Sequence, residues 1–356
     1  MMSTQIKSRQ PFYWGILHGI NDLVAGFLLA GYTLTHNYSD SFLFISLYAI
    51  LGFGGQLPVG FWLDKKKEIR FFAKISLFLL PLSVLLFFVS AEAAIISSGM
   101  ASAFVHVTGG TICLQVHENK SGPLGLFTAP GVLGLTIGGL LGSDKFILPI
   151  LLLVASLLIA AVIFGTPLPH YQTPDKKESE LDSHDLIMLL ILLFMCFRSF
   201  LFDVVNYVAE NYEDGLLYIG ISAFIGKIIG GIVADKIGIK RFIYFTLLTS
   251  LLLFQFGREN IYMLCAGIAF LQSSVPVTLL MMGRTLPFHP ATASAFSLGT
   301  SIVLAGLPLF LISDKKIIFD FFNSSALMPF IYILLFLTGV FVSLYFVNKV
   351  ILERRI

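Results

Sequence analysis

The chain has 356 residues, 56% of them hydrophobic and only 12% charged, with a formal net charge of +2 and a mean hydropathy of +0.88. That balance excludes the two or three soluble domains such a length would otherwise make, and it points to an integral membrane protein. It also excludes a charge-driven nucleic-acid binder and a solvated disordered chain, while three cysteines set inside apolar stretches exclude a disulfide scaffold.

A helix rising 1.5 Å per residue needs about 20 apolar residues to cross the hydrocarbon. On that basis the sequence predicts twelve spans, at 12–34, 42–63, 71–90, 93–115, 122–143, 147–167, 186–208, 214–234, 242–257, 261–282, 291–312 and 327–348. The polar N-terminus runs into the first span with no cleavage pattern, so that span is expected to be retained. Sixteen of the 23 Lys and Arg residues fall on the side that carries both termini, four fall opposite and three lie within spans. Positive residues are retained in the cytoplasm, so both termini are expected there, in a multi-pass plasma (inner) membrane protein. The one long polar connector follows the sixth span. It divides the chain into an N-terminal six-helix bundle (1–168), a cytoplasmic linker (169–185) and a C-terminal six-helix bundle (186–356). The expected fold class is all-α, twelve transmembrane helices in two bundles.

A repeat crosses that midpoint. GFWLDKKKEIR, residues 60–70, and GIVADKIGIKR, residues 231–241, match at an offset of 171 in Gly60/Gly231, Asp64/Asp235, Lys65/Lys236 and Arg70/Arg241. An aspartate at a helix end can make charge-assisted hydrogen bonds to a neighbouring helix terminus and hold one conformation of a bundle, so these eight residues are the expected cytoplasmic gate. The alternative is that they only stop helices and set topology. The first copy carries Lys67 where the second has Gly238.

These segments resemble the cytoplasmic loop signature of the major facilitator superfamily. HGIND (residues 18–22), GPLGLFTAPGVLG (122–134), FRS (197–199) and LPFHPATASAFSLG (286–299) are most similar to the fosmidomycin-resistance type of proton-coupled exporter. The resemblance implies a two-bundle fold, alternating access and efflux of a small molecule by proton antiport, with a monomer as the working unit.

Ionisable groups deep in a span are costly and usually face a cavity or a partner. His18, Asn21 and Asp22 lie at i, i+3 and i+4, on one helical face. Asp22 is the expected proton acceptor with His18 as its modulator, and Asn21, His106, Arg198 and Gln272 are expected to line the substrate cavity. For the two histidines, a plain interhelical hydrogen bond is the competing reading. Arg198 is expected to pair across helices, with Asp22 as a candidate, since Asp203 is off its face. Lys227, aligned with Gln56 by the offset, is near enough to the cytoplasmic end to snorkel, and Glu92 and Asp144 read as solvated outer residues.

No elbow, zincin or cofactor motif appears, so neither an enzyme nor a bound cofactor is expected. The leading function is a proton-coupled secondary transporter moving a small organic solute, with protons, that solute and the lipid bilayer as partners. The alternatives are a transition-metal carrier using His18, Asp22, His106, Cys113 and Met195, although no compact metal motif is present, and a non-transporting sensor of the same fold.

Overall fold

The computed structural model describes residues 4–117, 119–144, 146–172, 184–310, 315–324 and 327–346. The described chain is helical. Its helices are α1 (Thr4–Thr35), α2 (Tyr38–Lys66), α3 (Ile69–Phe87), α4 (Ala91–Val116), α5 (Gly122–Leu140), α6 (Ile147–Phe164), α7 (His184–Ala209), α8 (Gly215–Ile237), α9 (Ile239–Phe256), α10 (Ile261–Thr285), α11 (290–310) and α12 (Leu327–Phe346), with a short helix Lys315–Asn323 before the last. Eleven of these are long and apolar enough to cross a membrane. The remaining expected span is α11, a helical run built of Pro290–Ala295, a π-helical turn Phe296–Thr300 and Ser301–Phe310, which stops where the described residues stop. The expected linker lies largely outside the described residues.

Side-chain caps start several spans. Asn37 accepts from the Asp40 amide, Ser90 from that of Ala93, and Asn260 from those of Tyr262 and Met263. Asp144 accepts from the amides of Phe146, Ile147 and Leu148 at the start of α6. Those backbone donors, that of Phe146 foremost, hold its carboxyl below the usual carboxylate range. Asp144 is thus a partly exposed helix cap, a role beyond the solvated one expected. Glu92 is partly exposed, in keeping with the solvated residue expected, and also accepts from Ser90 Oγ at 2.7 Å and Tyr32 at 3.4 Å, with His36 at 3.9 Å.

Burial sorts central helices from peripheral ones: 89% of the apolar window of α4 is buried, against 28% in α6, whose Leu158 and Phe164 face outward. Lipid is as apolar as leucine, so helices associate by close contact. Between α1 and α5 the backbones touch, and a Cβ on Gly134 or Gly138 would strike the carbonyl of Gly19 or Leu23.

The two repeat copies end their helices differently. Lys67 closes α2 in the left-handed region at φ 58, ψ 24, whereas Gly238 follows α8 at φ 85, ψ 148, a conformation that is essentially glycine's alone. A lysine tolerates the first turn at a cost and could not make the second, which is why only one copy needs glycine. Lys67→Gly is expected to stabilise the protein by about 0.5–1 kcal/mol, read as a rise in the thermal midpoint in detergent.

Candidate functional site

Two clusters join helices across the molecule. The first is at the end that carries the repeat. Asp64, buried at the end of α2, accepts from the Ala291 amide (3.0 Å), the Thr292 amide (2.8 Å) and Thr292 Oγ1 (2.5 Å), all at the start of α11. The Tyr171 hydroxyl also donates to Asp64, and His289 Nδ1 is 3.9 Å away. Burial, together with the adjacent Asp64 carboxylate, raises the Tyr171 hydroxyl above the ordinary tyrosine value. Asp235, at the end of α8, accepts from the Ser121 amide and Oγ (2.7 Å each) and from the Gly122 amide (2.9 Å) at the start of α5. Each carboxylate therefore caps a helix N-terminus, where unpaired amides and the helix dipole favour negative charge.

The spacing G-x-x-x-D has a geometric reason here. Residues i and i+4 share a face, so Gly60 lies against the Ala291 carbonyl while Asp64 reaches the amides beside it; Gly231 lies against Ser121 while Asp235 does the same. A side chain at either glycine would push the helices apart and lengthen those hydrogen bonds. Lys65, Arg70, Lys236 and Arg241 are exposed and form no ion pair among the described residues, so they stand outside this hydrogen-bonded contact.

The second cluster lies in the middle of the helices. His18 Nε2 is 3.1 Å from Asp22 Oδ2, and His106 Nε2, from α4, is 3.8 Å from Asp22 Oδ1. The side chains of both histidines are 5% exposed and that of Asp22 13%. The imidazoles meet edge to face at 4.4 Å. His18 Nδ1 lies 2.9 Å from the Phe127 carbonyl and His106 Nδ1 lies 2.7 Å from that of Ser102. A carbonyl oxygen only accepts, so both Nδ1 atoms carry the hydrogen. Both Nε2 atoms then turn lone pairs towards the carboxylate unless a proton or another cation lies between. Asn21 Nδ2 donates to Asp22 Oδ1 at 2.9 Å, while its own Oδ1 is buried without a partner among the described residues.

Gly131 keeps this centre open. A Cβ there would strike both His18 Nε2 and Asp22 Oδ2, and neither belongs to a long flexible chain. Gly131→Ala is expected to force His18 and Asp22 apart and to cost about 1–3 kcal/mol, measured as a fall in the thermal midpoint.

Arg198 is placed differently from expectation. Its Nη1 donates to Thr278 Oγ1 at 2.7 Å, and Asp22 is not its partner: the groups beside the Asp22 carboxylate are His18, His106 and Asn21. Gln272 is buried where α10 turns at Ser273 and Ser274, and it makes no side-chain hydrogen bond among the described residues. Lys227 does not snorkel. Its Nζ reaches the Thr128 carbonyl on α5 at 3.5 Å, within electrostatic reach of Asp22 and Arg198. Its counterpart Gln56 likewise reaches across, to the Leu298 carbonyl of α11 at 3.4 Å. Met195 is in the apolar core, and Cys113 is not among the groups that converge on Asp22. All three cysteines are free thiols.

At the end opposite Asp64, a cavity of about 310 Å³ opens between α2, α7 and α11, lined by Phe53, Asp203, Asn206, Tyr207 and Glu210 among others. Phe53 also meets the His106 ring at 6.3 Å, so one aromatic side chain separates this cavity from the centre. Phe53 sits in a π-helical turn of α2, Ile50–Gly54, that packs on the π-helical turn of α11.

No family model matches the chain, and no curated protein matches it. Solved structures do match. A variant of the E. coli fucose:proton symporter aligns over 96% of this chain and 98% of its own at 13% identity, with a TM-score of 0.73. The same transporter in its outward conformation gives 0.72 at the same identity and coverage. The human organic anion transporter MFSD10 aligns over 95% of this chain and all of its own at 15% identity, with a TM-score of 0.59. The chain thus has the fold of the major facilitator superfamily transporters.

Proposed function

We propose that the protein is a proton-coupled secondary transporter, and not an enzyme, that exports a small organic solute across the plasma membrane by alternating access. The observation that carries this is the His18–Asp22–His106 centre, an arrangement that holds together through a shared proton and lies between contacts that can open and close. Asp64 and Asp235 form the cytoplasmic gate, fastened in this conformation, while the cavity behind Phe53 admits solute from the other side. Asp22 carries the proton with His18 and His106, and Arg198 and Lys227 supply positive charge for an anionic part of the cargo. Residues 1–168 and 186–356 act as the two rocking bundles, joined by a cytoplasmic linker, in a monomer with both termini inside. The π-helical turns of α2 and α11, packed on one another, supply places for the bundles to bend. Outward transport and antiport follow the resemblance to the fosmidomycin-resistance exporters, and the likeness in fold to a fucose:proton symporter supports the choice of driving ion.

The test begins with thermal unfolding of the purified protein against carboxylates, phosphonates, amines and uncharged antibiotics at two pH values, because a ligand that binds only the folded state raises its stability. A stabilising compound is then followed into proteoliposomes under a pH gradient. Gradient-driven movement by the wild type that Asp22→Asn loses supports the proposal; equal movement by both proteins sinks it.

A further inference from the structure

We infer that the His18–Asp22–His106 centre is a binding site for one divalent first-row transition-metal ion, which it takes up in exchange for protons. The inference rests on reading this centre as the cation-coupling site.

Three observations carry it. First, the donors converge: two imidazole nitrogens and a carboxylate, from α1 and α4, lie within 4.8 Å of one another in a buried place. Second, both imidazoles are oriented as metal-bound imidazoles are, with Nδ1 donating to a backbone carbonyl and Nε2 turned to the shared point. Third, the spacing is short enough. Donors about 2.0–2.1 Å from a tetrahedral ion lie roughly 3.3 Å apart. His18 lies 3.1 Å from Asp22 Oδ2 and His106 3.8 Å from Asp22 Oδ1, and with all donors within 4.8 Å the set must close by up to about 1.5 Å around an ion, through rotation of the imidazoles and the carboxylate.

The donor set selects the class of ion. Two nitrogens and one carboxylate suit Zn(II), Co(II), Fe(II) or Ni(II), whereas Mg(II) and Ca(II) want oxygen throughout. The Asn21 side chain turns its Nδ2 to Asp22 and leaves its Oδ1 buried and unpartnered among the described residues, so a flip of the amide would bring a further oxygen to the site. The ion would replace the proton that otherwise relieves the facing lone pairs, so metal and proton exclude one another. The other ionisable groups within electrostatic reach of the centre are Lys227 of α8 and Tyr48 of α2, with Arg198 of α7 acting on Lys227. Lys227 opposes positive charge at the centre, and the single set of three donor residues limits occupancy to one ion.

Co(II) is the probe, because a low-coordinate site gives intense visible absorption that water-bound Co(II) lacks. Untagged protein in metal-free detergent buffer is titrated with Co(II), and Zn(II) is used to displace it. The expected result is one equivalent per chain, with affinity falling as pH is lowered. His106→Ala and Asp22→Asn should each weaken binding by at least about a hundredfold, while Mg(II) fails to compete. Each variant is checked for folding by its metal-free unfolding midpoint, and Asp22→Glu should recover part of the affinity. Absent absorption, or absorption that persists in His106→Ala through exposed histidines such as His289, overturns the inference. Proton-driven solute flux measured in chelator separates the two ideas: flux without Co(II) binding leaves the transporter standing and removes the metal site. Co(II) binding without such flux does the reverse.

Discussion

Asp64→Ala is expected to open the gated end of the molecule and to raise alkylation of Cys113 from that side about a hundredfold. Asp64 is buried and holds the two amides and the hydroxyl at the start of α11 together with the Tyr171 hydroxyl. Hydrogen bonds to a charged group contribute about 1.5–3 kcal/mol each, and a neutral donor left buried without its acceptor costs about 1–3 kcal/mol. A loss near 3 kcal/mol moves an open–closed equilibrium by roughly two decades. Cys113 is a suitable reporter, being buried on α4 one turn beyond Gly110, which lies against Ser294 of α11. Asp235→Ala, whose carboxylate is more exposed and meets fewer groups, should have a smaller effect, and the double variant the largest. If Cys113 in the double variant reacts as slowly as in the wild type, the caps are not a gate.

Asp22→Asn should uncouple solute from protons. Each proton moved with the cargo is worth about 1.4 kcal/mol per pH unit, a tenfold concentration ratio. The wild type should therefore build about a tenfold gradient of solute per pH unit for each proton, and Asp22→Asn none. An asparagine keeps the shape of the site but cannot ionise, so exchange of labelled for unlabelled solute at equal pH should continue in the variant. Loss of exchange as well would mean that Asp22 holds the structure or the cargo and does not carry the proton.

The spans were legible because membrane helices have a length rule, and the two-copy loop was legible because its glycine, aspartate and basic residues stand at fixed intervals. That His18 and Asp22 meet followed from i, i+4 spacing alone. The arrival of His106 beside them did not, since nothing in a span's sequence records which neighbour it packs against. The same blindness explains Arg198, expected to pair across helices with Asp22 as a candidate and found on Thr278, and Lys227, expected to snorkel and found near the centre. The receiving ends of the gate left a trace. Ser121-Gly122-Pro123 and His289-Pro290-Ala291 both put a proline in the first turn of a helix, and the 171-residue offset sets them in nearly corresponding places. Tyr171 left none, because its role depends on where the connector runs back across the bundle.

The proposed gate has one further property that follows from which atoms build it. On the donating side most of its hydrogens belong to the main chain, at Ser121, Gly122, Ala291 and Thr292. No side-chain replacement short of proline can delete such a donor. A saturation mutagenesis screen for leaky variants would therefore recover Asp64 and Asp235 and, opposite them, only the side-chain donors Tyr171, Thr292 and Ser121, leaving the four main-chain donors unseen. The acceptors are written in the sequence as two aspartates, whereas four of the seven donors facing them are written in no side chain at all.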